Sequence, residues 1–397
     1  MSDWQRTTLG KVLTQISRAA RVEDLTEARY AGVRWYAGGV YDRETVPAEK
    51  IKGKTLYLIK HGDIVYNRMW ATKVSFGVVK KDADGCFVTN DFPVFTVDPE
   101  AILPEYVEAI FHTEPFQSEA AGRAVGTTER RRLHERDFVN IPVVLPPLPV
   151  QERIVEVICV VDNQITALDA EADTLHVVLR RLRSELVNDQ SAPAVRADEA
   201  FDITMGRQRA PKYATGPHMT PYLRSANVGY GTLDLTDVLE MNFDPKEREA
   251  FGLVPGDVLV SEGSASQSAV GMPAMWRGEL PEPICFQKTL MRYRAIEGVS
   301  VPGFVNHWCL WAYESGTFLD IAGGTNIKHI TAMRAVRMPV RLPDVADQER
   351  IAAELDTMSE VVAATRAEAH RLRSVRARLL AGLLDRTIDI ESAELEV

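Results

Sequence analysis

Cysteine is scarce: the four present, Cys86, Cys159, Cys285 and Cys309, are scattered and form no CxxC pair. That argues against a disulfide framework. The nearest approach to a metal set, Cys285, His307 and Cys309, matches no common zinc spacing. No apolar run approaches the ~18 residues needed to span a membrane, and "MSDWQRTTLG" lacks the apolar core of a signal peptide. These absences predict a cytoplasmic protein with no membrane association. Catalytic signatures are also missing. "PAEKIKGKT" contains GKT without the upstream glycine of a phosphate loop. "GYG" at 229–231 lacks the strand–GxGxxG–helix context of a dinucleotide site. There is no helically spaced histidine pair, no GxSxG and no Asn/Asp-Pro-Pro-aromatic run of the kind an adenine methyltransferase carries. No catalytic residue and no metal ligand is assigned.

What is there is ordinary globular composition: 397 residues, 45% hydrophobic and 26% charged, enough for two or three domains. The formal net charge of −10 is unevenly spread. Residues 1–150 hold 20 basic and 20 acidic side chains, whereas 151–200 hold 5 against 10 and 351–397 hold 6 against 9. Binding depends on local fields and not on the mean, so the acidic total does not exclude a polyanionic ligand for the neutral stretch.

Two acidic stretches begin alike. "LPPLPVQERI" and "LPDVADQERI" place Gln151 and Gln348 197 residues apart. "HGDIVYN" (61–67) is answered by "PGDVLVS" (255–261), and "AVGTTERRRL" (124–133) by "AGGTNIKHI" (322–330). The chain reads as a tandem duplication of a whole domain, since the period is far too long for a solenoid repeat. The expected division is 1–149 and 191–346 for the domains, 150–190 and 347–388 for a helix after each, and 389–397 for a tail. Asp63 and Asp257, in equivalent turns, are read as strand-start turn residues.

In the first helix Ile154, Ile158, Val161, Ile165, Leu168, Ala172, Leu175, Leu179, Leu182 and Leu186 alternate in steps of four and three. This is the 3.5-residue period of a coiled-coil seam. The second helix repeats it through Ile351, Leu355, Met358, Val362, Thr365, Ala369, Leu372, Arg376, Leu379 and Leu383, with Thr365 and Arg376 as polar interruptions. Prolines before each helix are tolerated at a first turn and not beyond it. Equal length and phase favour a mutual antiparallel coiled coil; the alternative is two amphipathic helices, each packed on its own domain. The domains themselves read as mixed, with short β-rich runs, then a helix over "PEYVEAIFHTEPFQSEAAG" or "GFVNHWCLWAYESGTFLDIAGG", a Gly-Thr loop and a last strand.

The loops supply candidate binding residues. Thr127, Thr128, Arg130, Arg131 and Arg132 combine hydroxyls and guanidinium groups suited to phosphate contact and bidentate base reading, and Thr325, Asn326, Lys328 and His329 answer them in the second copy. Arg34 and Trp35 beside a Gly-Gly turn, and Asn67 and Arg68 in "YNRMW", extend the set, as do Tyr222, Arg224 and Asn227 in "YLRSANV". The bland alternatives are a solvated basic turn for the loops and a half-buried strand for "PYLRSANV".

In the order of these motifs and in their duplication, the chain resembles a specificity subunit of a type I restriction–modification system over nearly its whole length. The most specific marks are the two proline-to-QERI helix starts; the second, "LPDVADQ", departs from the fuller proline run. The resemblance implies an α+β protein with two tandem mixed α/β target-recognition domains, each reading half of a split double-stranded DNA target. The paired helices would be an antiparallel spacer of roughly 50 Å, an upper bound of about 15 base pairs on half-site separation. The resemblance further implies a non-catalytic subunit that docks two methyltransferase subunits, with restriction subunits able to join. Cofactors would sit on those partners: S-adenosylmethionine for adenine methylation, ATP and Mg for restriction. Rival readings are a guide for a methylation-only or related defence complex, a nuclease with a coiled-coil dimeriser, and a coiled-coil adaptor with no DNA role.

Overall fold

The computed structural model describes residues 4–127, 130–264, 266–324 and 327–390. Its contacts divide the chain into two units, Met1–Leu168 with Glu368–Val397, and Asp169–Ala367. The division falls inside the two long helices, Leu148–Val187 and Val345–Leu384, and not at their starts. Each unit therefore owns a half of each helix.

The same frame is built twice. In the first unit a four-stranded antiparallel sheet has the order Leu13–Ile16, Val94–Val97, Ile64–Tyr66, Phe76–Val78. In the second the order is Phe201–Met205, Leu290–Ala295, Val258–Ser261, Pro273–Met275. A two-stranded ribbon accompanies each: Gln5–Thr8 with Pro142–Leu145, and Ala194–Arg196 with Pro339–Arg341. The second layer differs. The first unit adds a five-stranded sheet that includes Glu27–Val33 and Val40–Pro47; the second adds three strands, Leu239–Asn242, Met219–Leu223 and Cys285–Phe286.

The GD turns lead into Ile64–Tyr66 and Val258–Ser261 in the same way. Gly62 (φ 84°) and Gly256 (φ 97°) take the left-handed conformation that suits glycine. The next residue, Asp63 or Asp257, folds its carboxylate back on a backbone N–H three residues earlier, Lys60 at 2.7 Å and Val254 at 2.8 Å. Each buried carboxylate is then matched by an arginine, Arg18 in the first unit and Arg294 in the second, as a buried charge requires.

The single helix expected after the strands is broken in both units. Pro104–Phe111 gives way to Glu114–Arg123, where Thr113 caps the Phe116 N–H and Pro115 cannot continue the earlier helix. Pro302–Glu314 gives way to Thr317–Ile321 at Gly316, φ 82°. Pro104 and Pro302 open their helices at the first turn, where a missing N–H costs nothing.

The long helices pair antiparallel within each unit, and they also pack on the domain cores; the two readings of the heptads were not exclusive. In the first unit Ile154 and Ile158 share a core with Leu380 and Leu383. In the second Leu179 shares one with Ile351, Leu355 and Val362. Every seam position is buried or half-buried, including Val161, Ile165, Leu168, Leu175, Leu182, Met358, Leu372 and Leu379. Arg376, one of the polar interruptions, forms a two-pronged pair with Asp162, one contact being 2.9 Å.

His112, at the end of Pro104–Phe111, lies in the field of that pair. Burial, reinforced by Arg376, lowers its pKa from 6.5 to about 4. The unfolded chain binds the proton first, so the first unit should lose stability as pH falls from 6.5 towards 4, by about 3 kcal/mol in total. Unfolding titrations of wild type and His112→Gln over that range check this; equal pH slopes would contradict it.

Candidate nucleic-acid interface

Superimposing the duplicated GD turns aligns Arg68 with Glu262, and the main chain confirms the match. Arg68 N–H donates to the Asp91 carbonyl and its own carbonyl accepts from Leu133 N–H, both 3.0 Å. Glu262 does the same with Thr289 (2.9 Å) and Ile330 (2.8 Å). The Gly-Thr loops are closed by equivalent bridges. Val125 exchanges both backbone hydrogen bonds with Arg132, and Gly323 exchanges both with His329. The base of each loop is thus tied to one defined place on its frame, the segment that follows the strand Ile64–Tyr66 or Val258–Ser261.

In the first unit three segments singled out in the sequence converge there. Tyr36 and Ala37 N–H groups donate to the Lys73 and Val74 carbonyls (2.8 and 2.7 Å), tying the Arg34–Gly39 turn to the segment after Asn67. Trp35 meets Trp70 with ring centroids 5.1 Å apart, and the Arg130 guanidinium lies 5.4 Å from the Trp70 ring centre. Arg34 lies 4.2 Å from the Tyr41 ring centre. Among the described residues Arg34 and Arg130 make no side-chain ion pair. Arg132 pairs with Asp91 at 2.8 Å but is 41% exposed. Thr127 is exposed; Thr128, with Glu129, lies outside the described residues.

Other candidates have structural duties. Arg68 is not a free reader: its guanidinium is tied to Glu135 and to the Asn90 carbonyl (2.8 Å), bracing the loop from beneath. Asn67 caps the following 3-10 turn by accepting from Met69 N–H. In the second unit Tyr222 and Asn227, each 2% exposed, are interior residues. Tyr222 packs beside Phe243, and Asn227 bonds the Asp234 and Asp237 carbonyls at 2.9 and 3.0 Å. The reason is that "PYLRSANV" ends a strand and closes a turn, so its polar groups satisfy buried backbone before any ligand. Arg224 is half-buried against Asp237. Lys328 stands in the short strand paired with Gly263–Ser264, and the exposed His329 bonds Glu262 at 3.1 Å. Thr325 and Asn326 lie outside the described residues.

Some residues went unassigned from the sequence. Gln151 and Gln348 stand out in the sequence only as repeat markers, yet each is fully buried with every side-chain group bonded to backbone. Arg207, buried, lies 3.4 Å from the Tyr213 ring centre and pairs with Glu247 at 2.6 Å. Only the aromatic–basic run "GRQRAPKY" hinted at it. Cys285 and Cys309 fall in different cores, and no group of three His, Cys, Asp or Glu among the described residues has a metal-binding arrangement. No helix among them is long and apolar enough to cross a membrane.

The comparisons fit this geometry. Residues 1–175 match the family model described as type I restriction modification DNA specificity domain. Over 184 residues the chain is 26% identical to the type I restriction enzyme StySPI specificity subunit of Salmonella potsdam and to the EcoKI specificity subunit of Escherichia coli K12. That is 46% of this chain and 38% of each relative, so the match spans well under half of those proteins. Among solved structures, a chain from a study of assembly and conformational transition of a type I R-M system aligns over 96% of this chain and 97% of its own, with TM-score 0.66 and 17% identity. The type I S subunit of M. genitalium aligns over 96% of both chains with TM-score 0.51 and 12% identity. At such identities the structural matches establish the fold, and they extend it across both units. In its first 175 residues the chain is similar to the type I restriction–modification DNA specificity domain, and over nearly its whole length it shares the fold of a chain from a type I R-M system.

Proposed function

We propose that the chain is the DNA-reading subunit of a type I restriction–modification complex, acting in the cytoplasm. Each unit reads one half of a bipartite double-stranded target. The chain performs no chemistry itself. It positions two methyltransferase subunits that methylate adenine with S-adenosylmethionine, and restriction subunits, with their ATP and Mg, where the system has them. The observation that carries this reading is the duplicated loop: one frame, made twice, presents Arg130–Arg132 at one position and Lys328–His329 at the equivalent one. Paired readers on a repeated frame suit paired half-sites. The two loops differ in chemistry, which fits two different half-sequences.

The test is methylation mapping. The chain is co-expressed with its cognate methyltransferase subunit in a bacterium lacking adenine methylation, and the genome is sequenced for modified adenine. A split motif with a fixed gap is expected. An assembled complex that leaves the genome unmethylated, with the chain binding no DNA in the complex, would favour the adaptor reading.

A further inference from the structure

The Arg34–Gly39 turn is strained in a way its frame does not require. Tyr36 (φ 58°) and Ala37 (φ 54°) are consecutive non-glycine residues in the left-handed region. For a bulky side chain that conformation is a true outlier, and such strain gathers at functional sites. Two backbone hydrogen bonds hold it in place. Its effect is to hold Trp35 (46% exposed) and Tyr36 (69% exposed) outward instead of in the core. Around them Arg130 stands on Trp70, Arg34 on Tyr41, and Arg132 is partly exposed beside Asp91. Rings projecting from a rim of guanidinium groups match a nucleic-acid base step flanked by phosphates better than an apolar protein face, which would leave those cations desolvated.

We propose that Trp35 and Tyr36 form an aromatic wedge that enters the DNA at the half-site read by the first unit, unstacking one base step while the nearby arginines hold the flanking phosphates. This rests on the DNA-reading function proposed above and deepens it. Side chains inserted between base steps are an established way to kink a duplex. Both wedge residues belong to the first unit, so the distortion is expected in the half of the target that this unit reads.

The experiment uses the assembled complex of full chain and methyltransferase subunits on duplexes carrying 2-aminopurine at successive positions of the mapped motif. A several-fold fluorescence rise is expected at one step in the first unit's half. Trp35→Ala and Tyr36→Ala should each abolish that rise and weaken binding roughly 5- to 150-fold, the range for loss of one stacked base. Trp35→Phe should retain it. The methyltransferase extrudes its own target base, and that separate signal should persist in every variant as proof of a competent complex. Persistence of the non-target rise in both alanine variants, or its absence in wild type, overturns the wedge while leaving DNA reading intact. Failure to obtain any methylated motif overturns DNA reading and the wedge with it.

Discussion

Replacing Gln151 by alanine is expected to cost about 2–4 kcal/mol of the first unit's stability. Its side chain accepts from Leu103 N–H at 3.0 Å and donates to the Ala101 and Pro146 carbonyls, both at 2.9 Å. The three backbone groups belong to the loop before Pro104 and to the proline run before the long helix. Alanine leaves three backbone groups without partners and opens a cavity, and an unsatisfied buried group costs ~1–3 kcal/mol. Gln348→Ala should cost the second unit as much. Gln348 accepts from Val301 N–H at 3.1 Å and donates to the Val299 and Pro343 carbonyls, both at 2.9 Å. Glutamate in either place should be no better than alanine, because a carboxylate cannot donate to two carbonyls. Urea unfolding of the four variants reads this out; losses below about 1 kcal/mol would show that the glutamine is not the pin that joins helix to domain.

Arg183→Ala should cost the second unit about 3–5 kcal/mol, the range for removing one partner of a buried ion pair. Its side chain is 2% exposed and that of its partner Glu314 6%. The guanidinium also donates to Nδ1 of His307 at 3.3 Å, while Nε2 of that ring faces Asp356 at 3.0 Å. A permanently charged donor at Nδ1 fixes the ring as the neutral Nε2–H tautomer. Burial accordingly lowers the His307 pKa, against the pull of Asp356. Tyr230 completes the cluster by donating to Glu314, and burial followed by that carboxylate pushes its pKa up to about 12. Without Arg183 the Glu314 carboxylate keeps the Tyr230 hydroxyl and the half-exposed Arg180 at 3.9 Å, but loses its buried cation. Pairing Arg183→Met with Glu314→Gln should recover most of the loss, since a neutral amide can still accept from Tyr230. If the double variant is as unstable as the single one, packing and not charge is what Arg183 supplies.

The parts of this molecule that obey a short period were legible in the sequence. Ile154 to Leu186 and Ile351 to Leu383 repeat every 3.5 residues over 40-residue helices, long enough for the pattern to exceed accident. The GD turns were legible because aspartate after glycine has one local use. Arg376, a flaw in the seam by hydrophobicity alone, has its explanation in Asp162, 214 residues away along the chain, where no periodicity reaches. The candidate site was legible in part. Arg130, Arg34 and Trp35 do converge, but only because backbone bonds from Tyr36 to Lys73 and from Arg68 to Leu133 bring distant segments together. Tyr222 and Asn227 stand out in the sequence, yet lie in the interior, for the complementary reason. A polar side chain near a turn looks the same in sequence whether it faces a ligand or closes the turn, and Asn227 closes it. Charge type did not help either, since Arg68 and Glu262 occupy one structural position with opposite sign.

The measurement that bears most directly on the account is a half-chain exchange. Residues 1–147 are replaced by the equivalent domain of a type I specificity subunit with a known target, and the methylated motif of the co-expressed complex is mapped. The account predicts that one half of the motif changes to the donor's half while the other half stays as it was. A motif changed in both halves, or in neither, would contradict the claim that each unit reads its own half of the DNA.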